Sequence, residues 1–212
     1  MERVMFISHQ TDKYTYYDSV CLALEGGIRL IQLRMKEASQ ENVIALAEKV
    51  RIECAKYNAT LLIDDHVELV KQCGFDGVHI GKDDMPIDAA RAVLGKDKII
   101  GATANTFEDI VLAAKMGADY IGLGPFSYTK TKKNLATILG FEGYRNIISK
   151  LQKAKITIPV YAIGGITLQD VQPLMAMGLY GVAVSGSIVS ASNPIAMAKD
   201  FSTFAADFNT TI

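Results

Sequence analysis

The sequence repeats one local design three times, in Gly74-Phe75-Asp76-Gly77-Val78, Gly117-Ala118-Asp119-Tyr120-Ile121 and Gly178-Leu179-Tyr180-Gly181-Val182. Each stretch begins with a glycine that follows a helical pattern, continues through a short turn and enters an apolar run. Glycine is the residue that most often ends a helix in the left-handed conformation. The repetition therefore predicts a chain built from units in which a helix ends and a strand follows closely.

Eight short apolar runs are candidates for strands. Most are continuously hydrophobic rather than alternating, which is typical of parallel strands covered on both faces. They span residues 4–7, 30–33, 60–63, 77–80, 99–102, 120–123, 160–163 and 181–184. Helical patterns separate them, for example residues 41–57 and a helix that begins after the N-cap residue Thr106.

Eight such units predict one α/β domain over residues 1–212, a single (β/α)8 barrel. An open doubly wound sheet is the competing arrangement. The first strand is not followed by a glycine-rich dinucleotide loop, and this favours the closed barrel.

Composition narrows the class of partner. The formal net charge is −1, so no basic field is available to attract nucleic acid or a membrane surface. No run approaches the length of a membrane span, and the cysteines Cys21, Cys54 and Cys73 show no metal-ligand spacing. We therefore expect a cytoplasmic protein with small-molecule partners, and the sequence leaves a homo-oligomer open.

Polar residues follow the second, third and fourth strands, where a barrel of this kind builds its active site. Gln32, Arg34 and Lys36 are spaced by two and point to one side of the extended chain. This pattern predicts an anion site, and a solvated rim is the alternative interpretation of Arg34 and Lys36. Asp64-Asp65-His66 and Asp84 follow the next two strands. Aspartates at neighbouring strand ends predict a Mg²⁺ site; helix capping is the alternative interpretation, and His66 is a secondary candidate for a general base.

The remaining strand ends carry hydroxyls, cations and glycines. Thr103 and Asn105 follow the fifth strand, and the one long connection, residues 124–143, contains Thr129-Lys130-Thr131-Lys132. Gly164-Gly165 and Ser185-Gly186-Ser187 follow the last two strands. Glycine loops at these two positions commonly hold a phosphate through backbone N–H groups. Together with Arg34 and Lys36, the rim predicts two phosphorylated substrates and a transfer that releases diphosphate.

Five motifs in order resemble the thiamine phosphate synthase family over nearly the whole chain. They are Gln32-Leu33-Arg34-Met35-Lys36, Asp64-Asp65-His66-Val67-Glu68-Leu69, Gly77-Val78-His79-Ile80-Gly81-Lys82-Asp83-Asp84, Gly122-Leu123-Gly124-Pro125 with Thr129-Lys130-Thr131-Lys132-Lys133, and Ala162-Ile163-Gly164-Gly165-Ile166.

The resemblance implies a Mg²⁺-dependent transferase of thiamine biosynthesis that joins an aminopyrimidine-methyl diphosphate to a thiazole phosphate through a pyrimidine-methyl cation. The expected diphosphate ligands are Arg34, Lys36, Lys132 and Mg²⁺ held by Asp65 and Asp84. The thiazole phosphate is expected at Thr129, Thr131, Gly165, Ser185 and Gly186, the pyrimidine at Gln32 and Thr103, and further substrate contacts at Asp64 and Lys130.

Three positions depart from the family pattern. Asp64 stands where the family usually has asparagine, Thr103 replaces a serine, and Ser185-Gly186 replaces a hydrophobic–serine pair. The alternatives are a thiazole tautomerase, which would need a histidine where Asn105 stands, a sugar-phosphate epimerase or aldolase, and a catalytically silent barrel that binds a phosphorylated ligand.

Overall fold

The eight predicted strands form a closed parallel barrel in the computed structural model, which describes residues 1–36, 38–129 and 136–206. The strands are β1 (Val4–Ile7), β2 (Leu30–Leu33), β3 (Thr60–Asp64), β4 (Gly77–Ile80), β5 (Ile99–Ala104), β6 (Tyr120–Leu123), β7 (Val160–Ile163) and β8 (Gly181–Val184). Each strand pairs in parallel with its neighbour in the sequence, and β1 closes on β8 with Met5 opposite Ala183. The predicted (β/α)8 barrel is confirmed.

Helices alternate with the strands on the outside. In the described part of the chain they are α1 (Tyr16–Glu25), α2 (Gln40–Lys56), α3 (Leu69–Gln72), α4 (Ile87–Leu94), α5 (Phe107–Lys115), α6 (Gly140–Lys153), α7 (Leu168–Ala176), α8 (Gly186–Val189) and α9 (Pro194–Ala206). Thr106 caps α5 as predicted and forms a reciprocal pair of hydrogen bonds with Asp109. Within the described ranges, no helix is long and apolar enough to cross a membrane.

Three predicted boundaries were wrong. β3 extends to Asp64 and β5 to Ala104, so Asp64 and Thr103 are strand residues and do not follow the strands. The reason is the parallel ladder, in which Asp64 pairs with His79 and Thr103 with Gly122 whatever the polarity of their side chains. α6 already begins at Gly140, so the connection after β6 is shorter than the predicted 124–143.

The repeated helix–glycine–strand stretches have one structural role at the amino-terminal end of the barrel. Gly74, Gly117 and Gly178 have φ values of +72°, +94° and +99°, as expected of glycines that end helices. In two of the stretches an aspartate then bonds to the start of the preceding strand. The carboxylate of Asp76 accepts from the Leu61 N–H at 2.7 Å, and that of Asp119 accepts from the Ile100 N–H at 2.7 Å.

Two hydrophobic clusters fill the molecule. The larger lies between the sheet and the helices, with Phe6, Leu24 and Ile31 among its fully buried members. The smaller fills the inside of the barrel below the carboxyl ends of the strands and includes Tyr120 and Tyr161, whose rings pack edge to face at 5.5 Å. The open space of the barrel therefore lies toward the carboxyl ends of its strands.

Candidate functional site

A cavity of about 510 Å³ opens at the carboxyl ends of the strands. Ten of the predicted site residues line it: Gln32, Arg34, Lys36, Asp64, Asp65, Thr103, Thr129, Gly165, Ser185 and Gly186. Asp84 lies directly behind the lining, because a Cβ added at the lining residue Gly81 would overlap its carboxylate. The predicted residues Lys130, Thr131 and Lys132 lie outside the described residues. The structure thus brings the described part of the predicted site together, while the role of each residue stays a prediction.

Asp64 is the buried centre of the side of the cavity that carries Arg34 and Lys36. The Gln32 amide Nε2 donates to Asp64 Oδ1 at 2.5 Å, and Arg34 Nε lies 3.3 Å from Asp64 Oδ2. The second contact is an ion pair and not a hydrogen bond. Asp64 Oδ2 and Gln32 Oε1 are both buried without a hydrogen-bond partner among the described residues. Buried polar atoms without partners are costly in a folded protein, and both residues line the cavity.

Ionisation of Asp64 is disfavoured by its surroundings. Burial is the main cause and the neighbouring charge of Asp65 the second, and together they raise the pKa of Asp64 to about 7 against the opposing effects of Arg34, Lys36 and Gln32. The asparagine usual in the family would be neutral here. The departure at position 64 therefore adds a charge that the site holds with difficulty.

Ser8 fixes the backbone at Arg34, just after the end of β2. Its hydroxyl accepts from the Arg34 N–H at 2.9 Å and lies 3.2 Å from the Arg34 carbonyl oxygen, to which it donates. Ser8 and His9 follow β1 and line the cavity, yet they are not among the predicted site residues. The signal was present, because two polar residues follow an apolar strand where a barrel builds its site.

Asp65 and Asp84 face each other at the edge of the cavity. The backbone N–H of Gly81 donates to Asp84 Oδ2 at 2.8 Å, which orients this carboxylate, and Lys36 Nζ lies 3.4 Å from Asp65 Oδ2. Burial, a hydrogen bond with Asp65 and the charge of Asp65 raise the pKa of Asp84. Burial opposes ionisation of Asp65 as well, but the hydrogen bond with Asp84 and the cation of Lys36 outweigh it and lower its pKa.

This donor set fits Mg²⁺. Two carboxylates that are drawn together by a shared hydrogen bond repel each other when both are ionised, and a divalent cation removes that repulsion. Mg²⁺ commonly takes only one or two carboxylates and completes its octahedron with water and substrate phosphate oxygens. Within residues 1–36, 38–129 and 136–206, no group of three or more His, Cys, Asp or Glu side chains could hold a metal. A Mg²⁺ ion at the Asp65–Asp84 pair stays a prediction.

Glycines shape the opposite wall of the cavity. Gly164 and Gly165 have φ values of +91° and +68°. A Cβ on Gly165 would lie 2.6 Å from the Tyr128 carbonyl oxygen, so the segment before Thr129 packs directly on this loop. At Gly186 an added Cβ would meet no atom within 4 Å, which leaves its backbone open to the cavity. This wall can accept an anion through backbone N–H groups.

A buried histidine forms part of the cavity floor. His79, on β4, is 5% exposed; its Nδ1 lies 2.9 Å from the Tyr120 hydroxyl and its Nε2 lies 3.0 Å from the Thr103 hydroxyl. The sequence alone marks His79 only as a member of the motif at residues 77–84. Asn105 has a structural contact, because its amide donates to the Gly124 carbonyl. It therefore offers nothing equivalent to the histidine that a tautomerase would need.

The arrangement of residues around this rim is characteristic of one class of protein. A (β/α)8 barrel with cations, paired carboxylates and glycine loops around one rim is typical of enzymes that act on phosphorylated small molecules. The model of one protein family, described as thiamine monophosphate synthase, matches residues 4–188.

Individual proteins agree with this match. A thiamine-phosphate synthase of Bacteroides thetaiotaomicron is 54% identical over 196 residues, which are 92% of this chain and 94% of that protein. One of Caldivirga maquilingensis is 38% identical over 88% of this chain and 87% of its own length. The solved thiamine phosphate pyrophosphorylase of Pyrococcus furiosus superposes with a TM-score of 0.86 at 30% identity and covers 98% of this chain and 97% of that one.

The chain belongs to the thiamine monophosphate synthase family. The predicted family and the prediction of an enzyme of this family are both confirmed.

Proposed function

We propose that this chain joins an aminopyrimidine-methyl diphosphate to a hydroxyethylthiazole phosphate, giving thiamine phosphate and diphosphate in a Mg²⁺-dependent reaction. One observation carries the proposal. A single cavity presents Arg34, Lys36 and Asp65, with Asp84 directly behind it, on one side and the glycine loops at Gly165 and Gly186 on the other. Two separate anion sites in one cavity fit two phosphorylated substrates.

The pyrimidine fits between Gln32 and Thr103. The Gln32 amide nitrogen is committed to Asp64, so its unpartnered Oε1 is left as an acceptor for an exocyclic amino group. Thr103 lines the same part of the cavity and offers a hydroxyl to the ring. A buried acceptor without a donor favours a substrate that brings the N–H group.

The diphosphate fits the cationic side of the cavity. Arg34 and Lys36 bind its oxygens, and Lys132 is proposed to add a third cation from outside the described residues. Asp65 and Asp84 would hold Mg²⁺, which when bound neutralises charge on the leaving diphosphate. Asp64 lies against Arg34, so the positive charge of Arg34 interacts with both this carboxylate and the substrate.

The reaction needs no general base. The bond between the pyrimidine methylene and the diphosphate oxygen breaks, and the electron pair leaves with diphosphate. The thiazole nitrogen then donates its lone pair to the resulting pyrimidine-methyl cation and forms the C–N bond. Arg34 and Lys36 stabilise the charge that develops on the leaving group, which is the electrostatic contribution that usually dominates such catalysis.

The acceptor phosphate fits the glycine wall. Gly165, Ser185 and Gly186 offer backbone N–H groups, and Thr129 with Thr131 is proposed to add hydroxyls from the connection after β6. A phosphate held there places the thiazole over the pyrimidine. Because the two anions occupy opposite walls, the reacting atoms meet in the middle of the cavity.

One experiment tests the proposal. Purified protein is mixed with both phosphorylated substrates and Mg²⁺, and release of diphosphate and formation of thiamine phosphate are measured together. We expect equal amounts of both products, and neither product when the thiazole phosphate or the Mg²⁺ is omitted. Binding of the substrates without product would contradict the proposal and support a silent binding barrel.

A further inference from the structure

Thr103 is the cavity end of a chain of three hydrogen-bonding side chains. Tyr120 is completely buried and does not line the cavity, His79 lies above it, and Thr103 faces the cavity. The donor–acceptor distances are 2.9 Å from Tyr120 to His79 Nδ1 and 3.0 Å from His79 Nε2 to Thr103. The three residues belong to β6, β4 and β5, and the register in which these neighbouring strands pair brings them together.

A glycine makes room for this chain. Gly101 lies beside His79 in the ladder between β4 and β5, and it lies beside Tyr120 in the ladder between β5 and β6. A Cβ at residue 101 would overlap the phenol ring and hydroxyl of Tyr120. The absence of a side chain at this position therefore lets the tyrosine reach across β5 to the histidine.

The buried Tyr120 phenol determines which atoms donate and which accept in these hydrogen bonds. A tyrosine hydroxyl has one proton to donate, and burial raises the pKa of Tyr120 well above its ordinary value, so the proton stays on the oxygen. Among the described residues, the one hydrogen-bond partner of that hydroxyl is His79 Nδ1. If Nδ1 carried a proton instead, the buried Tyr120 proton would have no acceptor there. Tyr120 therefore donates, Nδ1 accepts and the imidazole proton resides on Nε2.

The protonation of His79 Nε2 determines how the Thr103 hydroxyl is oriented toward a substrate. His79 Nε2 donates to the Thr103 oxygen, so the Thr103 hydroxyl proton is turned toward the cavity. We propose that Tyr120 is a positioning residue that acts through His79 to make Thr103 a hydrogen-bond donor, so that the cavity selects a pyrimidine whose ring nitrogen at that point is an acceptor. With Gln32 Oε1 as an acceptor nearby, the floor is complementary to an amino group beside an unprotonated ring nitrogen.

This inference rests on the proposed function, and a pair of substrates tests it. The 4-amino diphosphate has an acceptor ring nitrogen beside its amino group, whereas its 4-oxo analogue has an N–H there. We expect Tyr120→Phe to lower the preference in kcat/KM for the amino substrate by about ten-fold, the effect of one ordinary hydrogen bond. The KM of the thiazole phosphate is expected to stay within about two-fold of the wild-type value, because the loss of one hydrogen bond at the pyrimidine does not affect a separate site.

Two further variants separate positioning from general damage. Tyr161→Phe removes a hydroxyl from the same buried layer, where it donates to the Glu2 carbonyl at 2.5 Å, and should leave the preference unchanged. In a Thr103→Val background, Tyr120→Phe should change the preference by less than about two-fold, since the two residues act through one bond. An unchanged preference in Tyr120→Phe, or independent effects in the double variant, would overturn the inference. Failure of the proposed function would appear separately, as wild-type protein that releases no diphosphate.

The tautomer can also be read directly in the wild-type protein. The chain has three histidines, and their ring nitrogens can be assigned by ¹⁵N NMR with His9→Gln and His66→Gln variants. We expect His79 to show an unprotonated Nδ1 and a protonated Nε2. A protonated Nδ1, in a neutral or a charged ring, would overturn the inference even if Tyr120→Phe did not fold.

Discussion

Arg34 Nε lies 3.3 Å from Asp64 Oδ2, so a cation predicted to bind substrate diphosphate is already paired with a carboxylate of the protein. The same carboxylate holds the Gln32 amide through its other oxygen. The family usually has asparagine at this position, which would keep a bond to Gln32 and leave the arginine charge to the substrate. This relationship makes position 64 the most informative departure in the site.

Asp64→Asn is expected to tighten binding of the diphosphate substrate. Removing the carboxylate charge leaves the Arg34 charge to the ligand and removes repulsion of an anionic ligand, so KM should fall by about 3- to 10-fold, or ~0.7–1.4 kcal/mol. Steady-state kinetics with the thiazole phosphate saturating measure this effect. Glu68→Gln removes an exposed charge that does not line the cavity and serves as the control. A higher KM in Asp64→Asn would show that the Arg34–Asp64 pair helps binding.

The raised pKa of Asp64 also predicts that the stability of the fold depends on pH. The pKa of Asp64 is about 7 in the folded chain against an ordinary value of 3.8. The folded state therefore binds the Asp64 proton more tightly than the unfolded state does, and protonation of Asp64 stabilises the fold. This contribution to the free energy of unfolding is complete below pH 3.8 and is lost as the pH rises through about 7.

An asparagine at position 64 would be neutral throughout, so Asp64→Asn should melt at the same temperature as wild type near pH 4 and at a higher temperature near pH 8. We expect a gain of about 1 kcal/mol or more at pH 8, or about 2–4 °C. Thermal melts in chelator across this pH range measure the difference, and a gain that does not grow with pH would contradict the argument.

Asp84→Asn is expected to weaken the Mg²⁺ site without unfolding the barrel. Asparagine keeps an oxygen for the Gly81 N–H but loses the charge that a hard cation prefers. The Mg²⁺ concentration for half-maximal activity should rise by about ten-fold or more, as changes at metal sites commonly do, and Asp65→Ala should abolish turnover. Asp83→Asn changes the exposed neighbouring residue and should leave the Mg²⁺ titration unchanged. Equal titrations for Asp83→Asn and Asp84→Asn would remove the metal assignment.

The strands and the rim could be predicted because both depend on local sequence. Continuous apolar runs mark buried parallel strands, and polar residues at their ends mark the rim. This logic placed Arg34, Lys36 and Asp65 at the cavity with no knowledge of the packing. It misjudged Asp64 and Thr103, whose polar side chains concealed that the backbone ladder continues through them.

The cavity floor could not be predicted in this way. A histidine inside an apolar run looks like a packing residue until its partners are known. Tyr120 and Thr103 are 41 and 24 residues from His79 in sequence, and they meet it only because β4, β5 and β6 pair in a particular register. The pairing of Arg34 with Asp64 likewise depends on the register of β2 against β3.

Gly165→Ala is expected to damage the acceptor phosphate site. A Cβ there would lie 2.6 Å from the Tyr128 carbonyl oxygen and 3.0 Å from Ser127 Cβ, so the segment that carries Thr129 must move. The KM of the thiazole phosphate should rise by about ten-fold or more, because misplacing the segment that contacts this substrate weakens its binding. The KM of the diphosphate substrate should change by less than about two-fold. Gly95→Ala has the same sign of φ but open space around it, and it should cost stability alone. Equal KM changes for both substrates would contradict a separate acceptor site.

Asp119→Ala is expected to destabilise the barrel and leave catalysis intact. Asp119 Oδ2 accepts from the Ile100 N–H at 2.7 Å and lies 2.6 Å from Arg91 Nη2, while the Asp119 N–H donates to the Ile100 carbonyl. Alanine leaves the Ile100 N–H without an acceptor and Arg91 without its carboxylate. A buried donor without a partner costs about 1–3 kcal/mol, and we expect about 2 kcal/mol in total.

In a domain of this size that loss is about 4–8 °C in Tm. Asp97→Ala removes an exposed aspartate from the loop that precedes β5 and should melt within about 1 °C of wild type, since exposed substitutions rarely matter. Asp119→Asn retains an acceptor for the Ile100 N–H, so its Tm should lie between those of Asp119→Ala and Asp97→Ala. Because Asp119 lies at the end of the barrel opposite the cavity, kcat and both KM values should be unchanged at temperatures below the melt. A kinetic defect in folded Asp119→Ala would show that the amino-terminal turns also position the active site.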